Sequence, residues 1–277
     1  GFLGQNGAGK STTIRMLLTL IKPTSGSIKI FDKELHHHRL EILKQTGAMI
    51  ERPDLYKYLS AYNNLSIFAK MSGIKVTRKL LMDQLQMVGL EEVANKKAGL
   101  FSQGMKQRLG IAVALVHNPK LLVLDEPTNG LDPQGIADMR NLILRLSKEL
   151  GKTIIVSSHL LSEVELIANR MLIIHRGKKV AEGIVSEMLD PSHTSLLLET
   201  TDNARAINSI KQYEWPVQFN HGDKFIQVSI HKNDIPQLVQ VITSLNIGLI
   251  TLQPRHSLEE YFLSLTNEEE HVEPVTD

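Results

Sequence analysis

Along the chain, stretches of helical apolar period alternate with short continuous apolar runs. Ile14, Leu17, Leu18 and Ile21 lie at helical spacing and predict a helix that Pro23-Thr24-Ser25-Gly26 closes with a turn. Ile28 and Ile30 alternate with polar neighbours and read as a short strand. Residues from about 60 to 117 read as mostly helical. Leu81, Leu85 and Val88 form one stripe, ended by Gly89. Met105, Leu109, Ala112 and Val116 form another, stopped before Pro119, with Ser102 placed as its N-cap. The runs Leu121-Leu122-Val123-Leu124 and Ile154-Ile155-Val156 predict strands of a parallel sheet buried on both faces. Between them Asp132-Pro133 opens a helix, with Asp as N-cap and Pro at the first helical position. Its stripe is Ile136, Met139, Ile143, Leu146 and Leu150, and Gly151 ends it. Met171–Ile174 and Lys179–Ala181 flank Gly177 as a hairpin.

The pattern weakens over 184–195, which reads as a linker between a domain at 1–183 and a smaller one at 196–266. In the second domain, strand-like Leu196–Glu199, a helix near Ala204–Gln212, strand-like Val217–Phe219 and Phe225–Ile230, a helix near Ile235–Leu245 and a strand near Leu249–Leu252 follow in turn. That β-α-β-β-α-β order predicts a small α+β domain of the ferredoxin-like split type. Ser257-Leu258-Glu259-Glu260 is a capping box for a last helix with Leu258, Phe262 and Leu265 facing inward. Residues 267–277, with Glu268-Glu269-Glu270, read as a disordered acidic tail.

Composition narrows the chemistry. The 277 residues carry a formal net charge of +1, so nothing in the overall balance asks for nucleic acid. The absence of cysteine excludes disulfides and thiolate metal sites and fits a reducing cytosol. No apolar run approaches the length of a membrane span, so a membrane role must come through a partner. His36-His37-His38 cannot all face one metal from a regular element and read as a solvated loop.

Gly4-Gln5-Asn6-Gly7-Ala8-Gly9-Lys10-Ser11 fits the phosphate-binding pattern Gly-x4-Gly-Lys-Ser/Thr, and Thr12 continues it. Its glycines let the backbone turn N–H groups toward phosphate oxygens, and the helix beginning near Lys10 adds its positive end. Lys10 supplies a point charge and Ser11 a hydroxyl suited to Mg²⁺. Such a loop is expected to follow a buried strand, yet only Gly1-Phe2-Leu3 precede it, so the chain is read as beginning inside a domain with at least one strand missing. Asp125 and Glu126 end the first buried strand, where open α/β sheets place ligands. Asp there can hold Mg²⁺ through water, and the following Glu can polarise an attacking water. His159 lies just past the next buried strand, placed to sense a γ-phosphate.

The order Gly4–Ser11, Phe101-Ser102-Gln103-Gly104-Met105-Lys106-Gln107-Arg108, Leu121–Glu126, Asn129-Gly130-Leu131-Asp132 and His159 resembles the ATP-binding subunit of an ABC transporter over about residues 1–183. The C-terminal unit resembles the accessory region of bacterial export-type ABC ATPases. The resemblance implies a P-loop NTPase fold, α/β, with a RecA-like core and a helical subdomain. It also implies two subunits sandwiching two ATPs, each between one phosphate loop and the other subunit's signature segment. By position it implies Lys10 on the β- and γ-phosphates, Ser11 and Asp125 on Mg²⁺, Glu126 as general base and His159 as γ-phosphate sensor. It further implies Ser102 and Gly104 on the opposite subunit's ATP, and Asp132 bridging the two sites.

Phe101, Gln103 and Met105 depart from the family's Leu-Ser-Gly-Gly-Gln signature, while Ser102 and Gly104 are kept. Glu51 stands where the family usually has Gln, a form that resembles the ATPases of bacitracin and lantibiotic resistance or immunity exporters. It adds negative charge near Mg²⁺, or else it faces the membrane subunit. The family's adenine-stacking aromatic has no counterpart upstream of this loop. The implied function is ATP hydrolysis that powers export of a peptide antibiotic or similar amphiphile through a separate polytopic permease. A second ATPase subunit is the other implied partner, with the complex on the cytoplasmic face of the membrane. The alternative is a non-transport ABC ATPase acting on nucleic acid or ribosomes; the absence of a heptad run, the single motif set and the neutral charge weigh against it.

Overall fold

The structure is a computed structural model that describes residues 1–188, 193–213, 215–218 and 224–255. The chain divides into two compact units, Gly1–Glu182 and a second beginning at Gly183. The expected terminal helix at Ser257–Glu260 and the tail from Asn267 lie outside the described residues.

The first unit is built on a six-stranded sheet. Its strands are β1 (Phe2–Leu3), β4 (Thr46–Met49), β5 (Leu121–Asp125), β6 (Thr153–Ser158), β7 (Arg170–His175) and β8 (Lys178–Ile184), in the order β4-β5-β6-β1-β7-β8. β2 (Lys29–Ile30) and β3 (Lys33–Glu34) form a separate hairpin whose turn residues Phe31 and Asp32 both take positive φ, the signature of a tight turn matched to strand twist. β4, β5, β6, β1 and β7 pair in parallel, so their C-terminal ends open on one edge. The apolar run of β5 is buried along its whole length, as expected for a central strand covered on both faces. The two residues before the phosphate loop, Phe2 and Leu3, are β1, held between β6 and β7 and buried.

α1 (Lys10–Leu17) follows the loop, and α2 (Arg39–Leu43) precedes β4. α1 stops short of the predicted Ile21. Thr19 sits at φ 60°, with its N–H on Met16 O and the Leu20 N–H on Arg15 O. These bonds satisfy the last carbonyls in a Schellman arrangement that normally uses glycine, and Leu20 and Ile21 are left exposed. α3 (Ala61–Met71), α4 (Arg78–Met87) and α5 (Gln103–Leu115) make the helical part. The predicted stripe of α4 is buried, but α5 buries Gln107, Gly110, Ile111 and Ala114 as well as Leu109 and Ala112, so it is a core helix and not an amphipathic one. Asn64 is fully buried yet satisfied: its amide accepts from Tyr56 N and donates to the carbonyls of Tyr56, Leu59 and Ser60, fixing the segment that enters α3. α6 (Pro133–Lys148) buries Met139, Leu142, Ile143 and Leu146, while Leu150 lies beyond its end and is exposed. α7 (Leu161–Ile167) follows β6, and the short turn α8 (Val185–Met188) occupies part of the stretch read as a linker.

In the second unit the order is β9 (His193–Thr200), α9 (Asn203–Ile210), β10 (Val217–Gln218), β11 (Ile226–His231), α10 (Ile235–Ser244) and β12 (Leu249–Arg255). The antiparallel sheet runs β10-β11-β9-β12, the ferredoxin-like split βαβ arrangement. Leu196 and Leu198 of β9 and Ile226, Val228 and Ile230 of β11 alternate onto one face. Ala206, Ile207 and Ile210 of α9 and Leu238 and Ile242 of α10 close that core. Asp202 caps α9 by accepting from Arg205 N at 3.0 Å.

Candidate nucleotide site

The loop between β1 and α1 needs backbone freedom at two points, Gly7 at φ 83° and Gly9 at φ 105°. Gly9 is the N-cap of α1 and makes no side-chain cap bond, so the first N–H groups of the helix at Lys10, Ser11 and Thr12 are presented to the loop's concavity. Lys10 is buried, and its Nζ donates to Gly4 O at 2.7 Å and to Gln5 O at 3.3 Å. Ala8 N also donates to Gln5 O, at 3.1 Å. Gln5 and Asn6 are exposed at the loop's rim, and Ser11 is half-buried.

Beside this loop, at the C-terminal end of β5, Glu126 places one carboxylate oxygen 3.2 Å from Lys10 Nζ and the other 2.8 Å from His159 Nδ1. Glu126 is mostly buried and sits at φ 49°, a left-handed conformation that costs a non-glycine residue about 1–3 kcal/mol. Ser157 holds it there. Its Oγ accepts from Glu126 N at 2.9 Å and donates to Asp125 Oδ1 at 2.5 Å. Asp125 is fully buried, and its other oxygen, Oδ2, has no hydrogen-bond partner. An orphaned buried carboxylate oxygen next to a second acid and a hydroxyl-bearing phosphate loop is a donor set that suits a hydrated hard cation. Among the described residues no group of three or more His, Cys, Asp and Glu side chains is arranged to hold a metal ion by itself, so a cation here would be completed by other oxygens.

Ser102, Gly104 and Asp132 meet in a second place, a cleft also lined by Gly130, Leu131 and Arg108. Ser102 Oγ accepts from Met105 N at 3.3 Å and Asp132 Oδ1 from Gly135 N at 3.0 Å, so both are N-caps and two helix N-termini converge on the cleft. Among the described residues no hydrogen bond or ion pair joins this group to Lys10 and Glu126. Glu51 stands apart from both. Its carboxylate is bound by Arg15 at 2.7 Å in an exposed pair, and its own φ is 54°.

The structure therefore gathers Lys10, Asp125, Glu126 and His159 at one sheet edge, and Ser102, Gly104 and Asp132 in a separate cleft. Sequence reasoning missed Ser157. A serine directly after an apolar strand run, two residues before His159, was the available signal, but its bonds reach back to residues 125 and 126 and only the sheet register reveals them.

A family model described as ABC transporter matches residues 1–129. The bacitracin transport ATP-binding protein BcrA of Bacillus licheniformis is 44% identical, over 96% of this chain and 87% of that protein. The lantibiotic transport ATP-binding protein SrtF of Streptococcus pyogenes is 46% identical, over 65% of this chain and 76% of that protein. Among solved structures, an ATP-binding cassette in a dimeric post-hydrolysis state with ADP and Pi superposes with a TM-score of 0.60 at 27% identity, covering 66% of this chain and 84% of that one. With a nucleotide loop, two strand-end carboxylates and this degree of identity across nearly the whole sequence, the chain belongs to the ABC transporter family as an ATP-binding subunit that hydrolyses ATP.

Proposed function

We propose that this subunit drives export of a peptide antibiotic, or a similar amphiphile, through a separate membrane permease on whose cytoplasmic face it sits. The observation that carries the catalytic part is Glu126 held between Lys10 and His159. The cargo class rests on the likeness to the bacitracin and lantibiotic transport proteins. Among the described residues no helix is long and apolar enough to cross a membrane.

In this reading Gly4 to Thr12 wrap the triphosphate with backbone N–H groups. Lys10 trades its contacts with Gly4 O and Glu126 for the outer phosphates. That exchange frees the Glu126 carboxylate, which takes a proton from water as the water oxygen bonds to the γ-phosphorus and ADP leaves with the bridging electron pair. His159 keeps the carboxylate oriented and reaches the γ-phosphate with its other ring nitrogen. Ser11 and the Oδ2 of Asp125, which has no other hydrogen-bond partner, would hold Mg²⁺, and the ion would supply neutralisation of phosphate charge. Ser102 and Gly104 act on ATP bound by a second subunit, as two helix N-termini opening on a cleft can, and Asp132 lies at the joint.

The cargo assignment has a direct test. Co-expressed with the permease that co-purifies with it, the protein should raise the host's tolerance of bacitracin or a lantibiotic, and Glu126→Gln should abolish the gain. Active ATPase with no change in tolerance to any such compound would remove the cargo class while leaving the enzyme intact.

Glu51 is proposed as an outer influence on the metal, acting through charge. Glu51→Gln should move the Mg²⁺ concentration that half-saturates ATP turnover upward, by about 2–5-fold given the pair's exposure to solvent. An unchanged midpoint would leave Glu51 with its Arg15 pairing alone.

A further inference from the structure

The site contains one carboxylate to which neither the sequence pattern nor the proposed chemistry assigns a task. Glu163, in the first turn of α7, directs Oε2 at two hydroxyls. Thr128 Oγ1 donates to it at 2.6 Å and Ser158 Oγ at 3.2 Å. Thr128 lies two residues beyond Glu126, on the segment that leads to Asp132. Ser158 is buried and immediately precedes His159. Its Oγ also accepts from Leu160 N at 3.0 Å, so the hydroxyl spans the backbone on both sides of His159. A single carboxylate oxygen thus ties the loop that carries Glu126 to the loop that carries His159. These are the two side chains whose own contact is 2.8 Å. A hydroxyl bond to an ionised carboxylate at the Thr128 distance belongs to the strong, directional class.

We infer that Glu163 is a positioning residue for ATP hydrolysis, a clasp that fixes the Glu126 loop against the His159 loop through Thr128 and Ser158. The inference rests on the reading of Glu126 as base and His159 as its partner. Among the described residues no hydrogen bond or ion pair joins Glu163 to the Gly4–Ser11 loop, and its bonds go to Thr128 and Ser158, so its loss should leave ATP binding alone. What it should disturb is the alignment of base, water and γ-phosphorus, where a displacement of about 1 Å can cost on the order of 100-fold in rate. The clasp also joins the Asp132 segment to the same anchor, so a shift of either loop is transmitted to the other.

The test measures kcat, KM and equilibrium ATP binding in the intact protein for Glu163→Ala, Thr128→Val, the double variant and Glu163→Gln. Glu163→Ala should lower kcat about 10-fold and leave ATP affinity within about twofold. Thr128→Val should lower kcat less, and the double variant should be no slower than Glu163→Ala, because both changes remove one interaction. Glu163→Gln keeps an acceptor oxygen and should recover part of the lost rate. Unchanged kcat in Glu163→Ala, additive losses in the double variant, or equal losses of kcat and ATP affinity would each overturn the clasp. If Glu163→Ala does not fold, Thr128→Val and Ser158→Ala, each of which removes a hydroxyl that Glu163 holds, take its place, and an unchanged kcat in both overturns the clasp equally. Glu126→Gln measured alongside separates the two levels. Retained turnover in that variant defeats the reading of Glu126 as base, whereas a silent Glu163 beside a dead Glu126→Gln defeats the clasp alone.

Discussion

Glu126→Gln should cut ATP turnover by about 10²–10⁴ while ATP binding is preserved, the range expected when a general base is removed. The substitution keeps size and hydrogen-bonding reach. Its amide can still meet Lys10 and His159, which now lie 3.2 and 2.8 Å from the carboxylate. What it loses is the ability to take a proton. Binding should survive because the groups proposed to face the phosphates, the backbone from Gly4 to Ser11 and Lys10 itself, are untouched. Affinity could even rise, since Lys10 would no longer be drawn to a carboxylate. Turnover by single-round quench and ATP affinity by equilibrium titration give the two numbers. A variant that turns over at the parent rate would mean that the acid beside Lys10 is a structural counter-ion, with the proton going elsewhere.

What could be read from the sequence was what local chemistry decides. Ser102 and Asp132 announce themselves as N-caps because an N-cap needs only its own side chain and an amide three residues on. The phosphate loop is legible for the same reason, being one contiguous stretch whose glycines have a conformational purpose. The second unit's order was legible in part because β11 keeps one buried face, so the alternation of Ile226, Val228 and Ile230 survives in the sequence. Where the reading failed, a longer-range competitor won. α1 ends at Leu17 because Thr19 accepts a conformation usually left to glycine, which no propensity argument favours. The stripe of Met105, Leu109, Ala112 and Val116 understated α5, because Gln107, Gly110, Ile111 and Ala114 are buried as well. Ser157 and Glu163 were invisible as site residues for the plainest reason. Ser157 bonds residues 125 and 126 and Glu163 reaches Thr128, each across more than 30 positions of chain, and for Ser157 it is the parallel register of β5 against β6 that makes the partners neighbours.

Mixing two crippled subunits should restore activity that neither has alone, if Ser102 serves the ATP of the opposite subunit. Lys10→Ala destroys the phosphate loop, and Ser102→Arg blocks the cleft where Ser102 and Gly104 face Asp132. Each pure dimer should be almost inactive. In a mixed dimer the loop of the Ser102→Arg subunit meets the intact Ser102 of the Lys10→Ala subunit, and one complete site forms. Random pairing in a two-fold dimer makes half the dimers mixed, each with one of its two sites intact, so the mixture should recover about a quarter of the parent rate. The geometry supports such a division of labour. Among the described residues no hydrogen bond or ion pair joins the Ser102 cleft to Lys10 and Glu126, and the two groups line different places on the subunit. A signature segment acting within its own subunit predicts the opposite, because every subunit in the mixture then carries one broken half. With mixed dimers verified by differential tagging, a mixture as inactive as its components would place Ser102 in its own subunit's site. A mixture in which no mixed dimers form would show instead that the pairing partner is a different chain, and the same exchange would then be made with that partner's signature serine.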